Sequence, residues 1–262
     1  MSDTYARVMK AGDGPGNRRT ARSGTARPSG PVAGPEPGST PLTAADPPAR
    51  RADSLAEATF AAAVAAFQQG RDDQAHRDLS FEDVPAPKRL APYATAIAAT
   101  VQRDGADVAW GRLVLLYDPA GQDGWDSAFR LVAYIRAEVE PEIAADPLLG
   151  EVGWSWLSEA LDAQVPGYAQ PSGTVTRVIT EGFGAKRDEL PLTGFELRAS
   201  WSPTGPGSRK RSGRTARAGG PGEADLDVLD LPAHIAAWCD CLSAAAGLEP
   251  PGTRALRPPG HG

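Results

Sequence analysis

The spacing of apolar positions divides the chain into ordered stretches separated by segments with no period at all. Residues Ser54 to Gln69 set Phe60, Val64 and Phe67 at helical spacing among alanines, with Ser54 at the N-cap and Gly70 at the C-cap position, and predict a first helix. The connection VPAPKRLAPY, Val84 to Tyr93, is expected to run extended to a sheet edge because its prolines forbid a helix. Tyr93–Gln102 and Val108–Tyr117 read as two strands, and Asp104-Gly105 between them predicts a tight antiparallel hairpin. From Phe129 to Glu140 the chain alternates, with Phe129, Leu131, Ala133, Ile135, Ala137 and Val139 on one face and Arg130, Tyr134, Arg136, Glu138 and Glu140 on the other. That period of two predicts a third strand.

The stretch DPLLGEVGWSWLSEALDAQV, Asp146 to Val165, changes period to that of a helix. Asp146 takes the N-cap and Pro147 the first helical position, where a missing N–H costs nothing. Leu149, Val152, Gly153, Trp156, Leu157, Ala160 and Leu161 fall on one arc, opposite Glu151, Ser155, Ser158, Glu159 and Asp162. Trp154 lies at the margin. This phase assigns Trp156 to the core and leaves Trp154 to the surface, so truncating Trp156 is expected to cost far more. Two further strands follow at Gly173–Phe183 and Thr193–Trp201, the second with Phe195, Leu197, Ala199 and Trp201 inward. Asp230-Leu-Pro232 then opens a last helix carrying Ile235, Trp238, Cys239, Leu242 and Ala246 on one stripe and stopping at Gly247. The order α-β-β-β-α-β-β-α, with strands in runs, predicts an α+β fold: an antiparallel sheet of about five strands with helices packed on one face.

Composition limits where that fold lies. Residues 1–51 hold 8 Pro and 7 Gly, too little apolar surface to offset the entropy of ordering them. The expected organisation is a disordered arm at 1–52, a core domain at 53–203, a disordered basic insert at 204–228, a helix at 229–248 that packs on the core, and a disordered tail at 249–262. Charge divides in the same way: residues 1–51 carry +4, residues 52–203 carry −11 and residues 204–262 carry +1. An acidic core excludes strong nucleic-acid binding, which needs clustered Lys and Arg. The Arg-rich runs at Arg18–Arg27 and Arg209–Arg217 contain no aromatics for base stacking and read as solvated linkers. No apolar run of signal-peptide or membrane-span length occurs, and the two cysteines, Cys239 and Cys241, are poorly placed to bridge within one helix. A cytoplasmic protein is expected.

Several strings carry a resemblance: RLAPYA at Arg89–Ala94, the run from Gly111 to Leu157, SGTVTRV at Ser172–Val178, and LPAHIAAWCDCLSAAAGL at Leu231–Leu248. Together they resemble an uncharacterised actinobacterial family, domain of unknown function 3000, across nearly all of the ordered part. The resemblance implies no activity. The order of elements is also similar to that of the secretion-chaperone-like fold, whose members bind partner proteins; the analogy is one of fold alone.

The three histidines, His76, His234 and His261, have no partner evident in the sequence. On a helix Cys239 and Cys241 point about 200° apart, so with His234 they do not converge as zinc requires; Cys239 is expected in the core and Cys241 at the surface or in a groove. Glu138, Glu140 and Glu142 read as the solvated side of a strand. GWSW at Gly153–Trp156 lacks the second glycine of a nucleophile elbow, and no phosphate-binding loop occurs. No metal or cofactor is therefore expected. Trp110, Trp156, Trp201 and Trp238 fall on apolar faces and are expected in the core. Trp125 and Trp154 do not, and with Asp118, Arg130 and Arg136 they mark a candidate binding groove between a loop and a helix edge. Two readings remain: a non-enzymatic protein-binding or adaptor domain of chaperone-like type, a second copy of the chain included among its partners, or a small enzyme or ligand-binding protein in which Asp118, Asp123, Asp126, Arg130 and Arg136 converge.

Overall fold

The computed structural model describes residues 48–75, 78–188, 192–206 and 226–247. The arm, most of the basic insert, the tail and His76 and His261 lie outside the described residues. Six strands form one antiparallel sheet: β1 (Leu79–Asp83), β2 (Tyr93–Arg103), β3 (Ala106–Tyr117), β4 (Phe129–Glu138), β5 (Tyr168–Thr180) and β6 (Leu192–Pro203), ordered β1-β2-β3-β4-β6-β5. The helices are α1 (Pro48–Gln74), α2 (Pro141–Ala145), α3 (Leu149–Gln164), α4 (Leu226–Leu229) and α5 (Leu231–Ala245). The α+β class with an antiparallel sheet is as expected. The sixth strand is β1, and α2 and α4 are also additions; all three are too short for periodicity to reveal.

The chain separates into two compact units, Met1–Leu55 and Ala56–Gly262. Of the first, only the opening turns of α1 are described; there Ser54, expected as the N-cap, lies inside the helix and donates its hydroxyl to the Arg50 carbonyl at 2.9 Å. The second unit carries the sheet. Within it, Ala56, Phe60, Ala63, Phe67 and Gly70 recur every three or four residues and turn inward. Gly70 is no C-cap. The helix runs through it to Gln74, and a Cβ on Gly70 would stand 2.7 Å from Pro232 Cα, so the missing side chain lets α1 approach α5 closely.

The Asp104-Gly105 hairpin forms as the sequence requires, with φ of 52° and 80° joining β2 to β3. In β4 the two faces alternate as expected, but the outer side is open only from Tyr134 onward, because Arg130 and Val132 are buried. Leu131, Ala133, Ile135 and Ala137 join a core that includes Leu113, Leu115, Phe195, Leu197 and Trp201. The helices α1, α3 and α5 contribute residues to this core from one side of the sheet.

The last helix is buried all round rather than along one stripe. Leu231, His234, Ile235, Ala237, Trp238, Cys239, Cys241 and Leu242 are all buried. Among its residues only Asp240 carries a charge at neutral pH, with His234 and the two thiols neutral, so little opposes enclosure between the sheet and α3. Cys241 is therefore fully enclosed, correcting its expected place at the surface or in a groove. Asp230 caps the helix by accepting from the Ala233 amide at 3.2 Å.

The phase of α3 also differs from expectation. Its buried residues are Leu149, Gly153, Leu157 and Leu161, one every four positions, while Val152 is 42% exposed. Asp146 ends α2 and binds the Leu148 amide at 2.8 Å; it is not the N-cap, which is Leu148. The buried arc is turned towards α5, to which Gln164 is tied through Asp240. Trp156 and Trp154 consequently stand on opposite shoulders of that arc, both half-buried. Trp156 meets the Phe195 ring edge-on at 5.5 Å, and Trp154 lies over Gly173 of β5. Trp154→Ala and Trp156→Ala are each expected to cost about 2 kcal/mol, roughly half the value for a fully buried indole. Urea unfolding measures both, and a gap above about 1.5 kcal/mol would restore the one-sided assignment.

Candidate functional site

The groove expected from sequence does not assemble. Asp118 organises its own loop: its carboxylate accepts from the Ala120 amide at 3.0 Å and from Gln122 Nε2 at 3.1 Å. Gln122 also donates to the Leu90 carbonyl at 3.0 Å, which ties the loop to the proline-rich segment. Asp123 is exposed, and Asp126 accepts from Gln170 Nε2 at 3.3 Å. Trp125 is half-exposed in the same loop, whereas Trp154 lies over β5.

Arg130 is 5% exposed and works as a clamp. Its guanidinium donates to Ser200 Oγ at 2.7 Å, the Gln170 carbonyl at 3.0 Å and Ser202 Oγ at 3.2 Å, joining β4 to β5 and β6. Arg136 lies six residues along the same strand, about 20 Å away, and is exposed. The two arginines do not converge. Among the described residues no group of three or more His, Cys, Asp or Glu is arranged to hold a metal ion.

A different cluster forms on the side of the sheet opposite the three helices. Registers β3–β4 and β4–β6 place Trp110 beside Arg136 beside Glu196, and Arg112 beside Tyr134 beside Arg198. The Trp110 and Tyr134 rings meet edge-on at 5.8 Å, and the Arg198 guanidinium stands 5.2 Å from the Tyr134 centroid. Arg198 Nη2 pairs with Glu196 at 2.7 Å. Burial raises the Tyr134 phenol above its ordinary pKa, and the charge of Glu196 and its hydrogen bond with the phenol add to the shift; Arg198 and Arg136 oppose it. The phenol thus stays protonated and donates to Glu196. Arg112 donates to the Pro85 carbonyl, which holds the proline-rich segment against this side of the sheet.

This places Trp110 outside the core to which sequence assigned it. It is half-exposed, while its neighbours Ala109 and Gly111 point inward. The signal was in the strand itself: Trp110 and Arg112 share a parity, and an arginine marks the polar side. Extending the Asp104-Gly105 hairpin register across to Tyr134 would have brought the cluster together. Trp201 and Trp238 are fully buried, as expected.

Two groups of chemical interest, Cys241 and His234, are enclosed in the core. Burial pushes the Cys241 thiol upward, with Asp240 adding to the effect, so no thiolate forms there. His234 is fully enclosed, accepts from Trp201 Nε1 at 3.1 Å and is pushed down to about 3 by burial, opposed in part by the Leu229 backbone. Its Nε2 has no hydrogen-bond partner among the described residues. Among the described residues no helix is long and apolar enough to cross a membrane. No curated protein and no solved structure matches the chain. The model of a family described as a protein of unknown function, DUF3000, matches residues 56–254, and the chain belongs to that family.

Proposed function

We propose that this chain is a non-enzymatic protein-binding domain that holds its partner on the open side of the sheet, at Trp110, Tyr134, Arg136, Glu196 and Arg198. The supporting observation is the Trp110–Tyr134–Arg198 stack, which keeps two aromatic rings and a guanidinium half-exposed in fixed positions. Trp, Tyr and Arg dominate binding hot spots, and rigid presentation lowers the entropy lost on association. Glu82, Glu138 and Glu196 share this side with Arg112, Arg136 and Arg198, which disfavours a phosphate backbone and favours a mixed-charge protein surface. Neither Cys239 nor Cys241 is in a disulfide, which fits a reducing cytoplasmic setting.

Native-lysate capture with the whole chain tests the reading. Trp110→Ala and Arg136→Glu should each weaken retention of a captured protein by about 30-fold, the scale of a hot-spot residue, while Trp154→Ala leaves it unchanged. A partner retained by the first two variants and released by the third would move the site to α3.

A further inference from the structure

The two edges of the sheet are protected very differently. β1 is only five residues long, and it carries Glu82 and Asp83, the latter paired with Arg71 at 3.0 Å. Short length and charge are what keep an edge from pairing with another chain. β5 is thirteen residues long, and among the described residues no strand covers its outer side. Its own safeguards, Pro171 and the register shift between Ala169 and Ser172, act only at its start. From Ser172 to Thr180 the sequence is SGTVTRVIT: largely exposed, rich in β-branched residues, with Arg177 its only charge.

We propose that β5 pairs antiparallel with β5 of a second copy, with Thr176 on the twofold axis, so that two six-stranded sheets become one. The register follows from like-charge repulsion and from the proline. An axis at Arg177 would set two guanidiniums directly opposite each other, which is destabilising. An axis at Val175 would carry Pro171, which has no N–H, into the ladder opposite Ile179. An axis at Thr176 uses all nine residues from Ser172 to Thr180. It sets Thr174 opposite Val178, and Arg177 opposite Val175. It also sets Ile179, 54% exposed, opposite the second copy's Gly173, where no side chain competes and the ring of Trp154 lies alongside.

Beyond the strand end Phe183 and Leu192 are 78% and 68% exposed, together leaving roughly 250 Å² of apolar surface open. Added to a nine-residue ladder about 30 Å long, they bring the roughly 800 Å² per partner of a stable pair within reach. The pairing also closes: it consumes both open edges and leaves the short acidic β1 at each end, so it stops at two copies.

Mass measured in solution across a dilution series tests this on the full chain. The expected species is twice 27.3 kDa, and Thr176→Lys, which sets two ammonium groups across the axis, should weaken it at least tenfold. Thr176→Cys provides the independent check. Residues opposite each other across an antiparallel pair have Cα atoms about 4.5 to 5.5 Å apart, within disulfide range, so mild oxidation should link the two copies quantitatively, whereas Thr174→Cys should not link. A chain that stays at 27.3 kDa at the highest attainable concentration overturns the proposal; if its β5 amides are nonetheless protected from exchange, the occupant of the edge is another segment of the same chain. A dimer that survives Thr176→Lys and does not cross-link through Thr176→Cys overturns it as well.

Discussion

Lowering the pH from 7 to 4.5 should cost the fold roughly 2 to 3 kcal/mol through His234 alone. The imidazole is enclosed among apolar groups, its Nδ1 accepts from Trp201, and its pKa falls to about 3 against 6.5 in the unfolded chain. Above pH 6.5 both states are neutral and the residue costs nothing through protonation. Below it the unfolded chain binds a proton that the folded chain refuses, and stability falls by up to about 1.4 kcal/mol per pH unit until roughly pH 3. Stability from this residue is thus present at neutral pH and lost on acidification. His234→Gln keeps an acceptor for the indole and removes the titration, so urea unfolding at the two pH values should show the variant's loss smaller by that amount. Equal losses in the two proteins would mean that the imidazole takes up its proton inside the fold.

Trp238→Ala should cost about 3 to 5 kcal/mol, the largest effect expected of any single substitution here. The ring is fully buried at the centre of α5 and lies on Gly111 of β3, where a Cβ would stand 2.8 Å from Trp238 Cζ2 and 3.3 Å from Leu242 Cδ2. Gly111→Ala should therefore cost about 1 to 3 kcal/mol by overpacking, despite the better strand propensity of alanine. Combined, the two changes should cost clearly less than their sum, because the methyl enters space the indole has left. Additive losses in chemical denaturation would show that the ring and the glycine do not touch.

Much of this architecture is legible in the sequence because it rests on signals that act locally. The Asp104-Gly105 turn, the alternation in β4 and the cap at Asp230 each depend on residues within a few positions of one another. What escaped depends on neighbours distant in the chain. The phase of α3 was misjudged because its arc is set by α5 as well as by the sheet, and only the fold shows that Val152 faces water. Gly70 resembles a helix end until the approach of Pro232 is seen. Cys241 was misplaced for a similar reason: a single-stripe reading suits a helix with one covered side, and α5 has none exposed to speak of. The candidate site was half legible. Tyr134 and Arg136 fall on the outward face by alternation, and Glu196 and Arg198 alternate with the inward Phe195, Leu197 and Ala199, but hydrophobicity alone draws Trp110 into the core, and the cluster exists only once three strands are in register.

The burial of α5 has a consequence for how the chain is made. The helix that covers β3, β4 and β6 follows all six strands of the sheet in the chain, so each of them is synthesised before it. Until residues 231–245 have left the ribosome, Leu113, Leu115, Ile135 and Leu197 have their central cover missing, and the hairpins that form early present an apolar surface to the cell. The β4–β6 pairing, which spans α2, α3 and β5, adds a slow long-range closure to the same interval. A truncation a few residues before Leu231 removes the lid of the core and leaves Leu113, Leu115, Ile135 and Leu197 facing water.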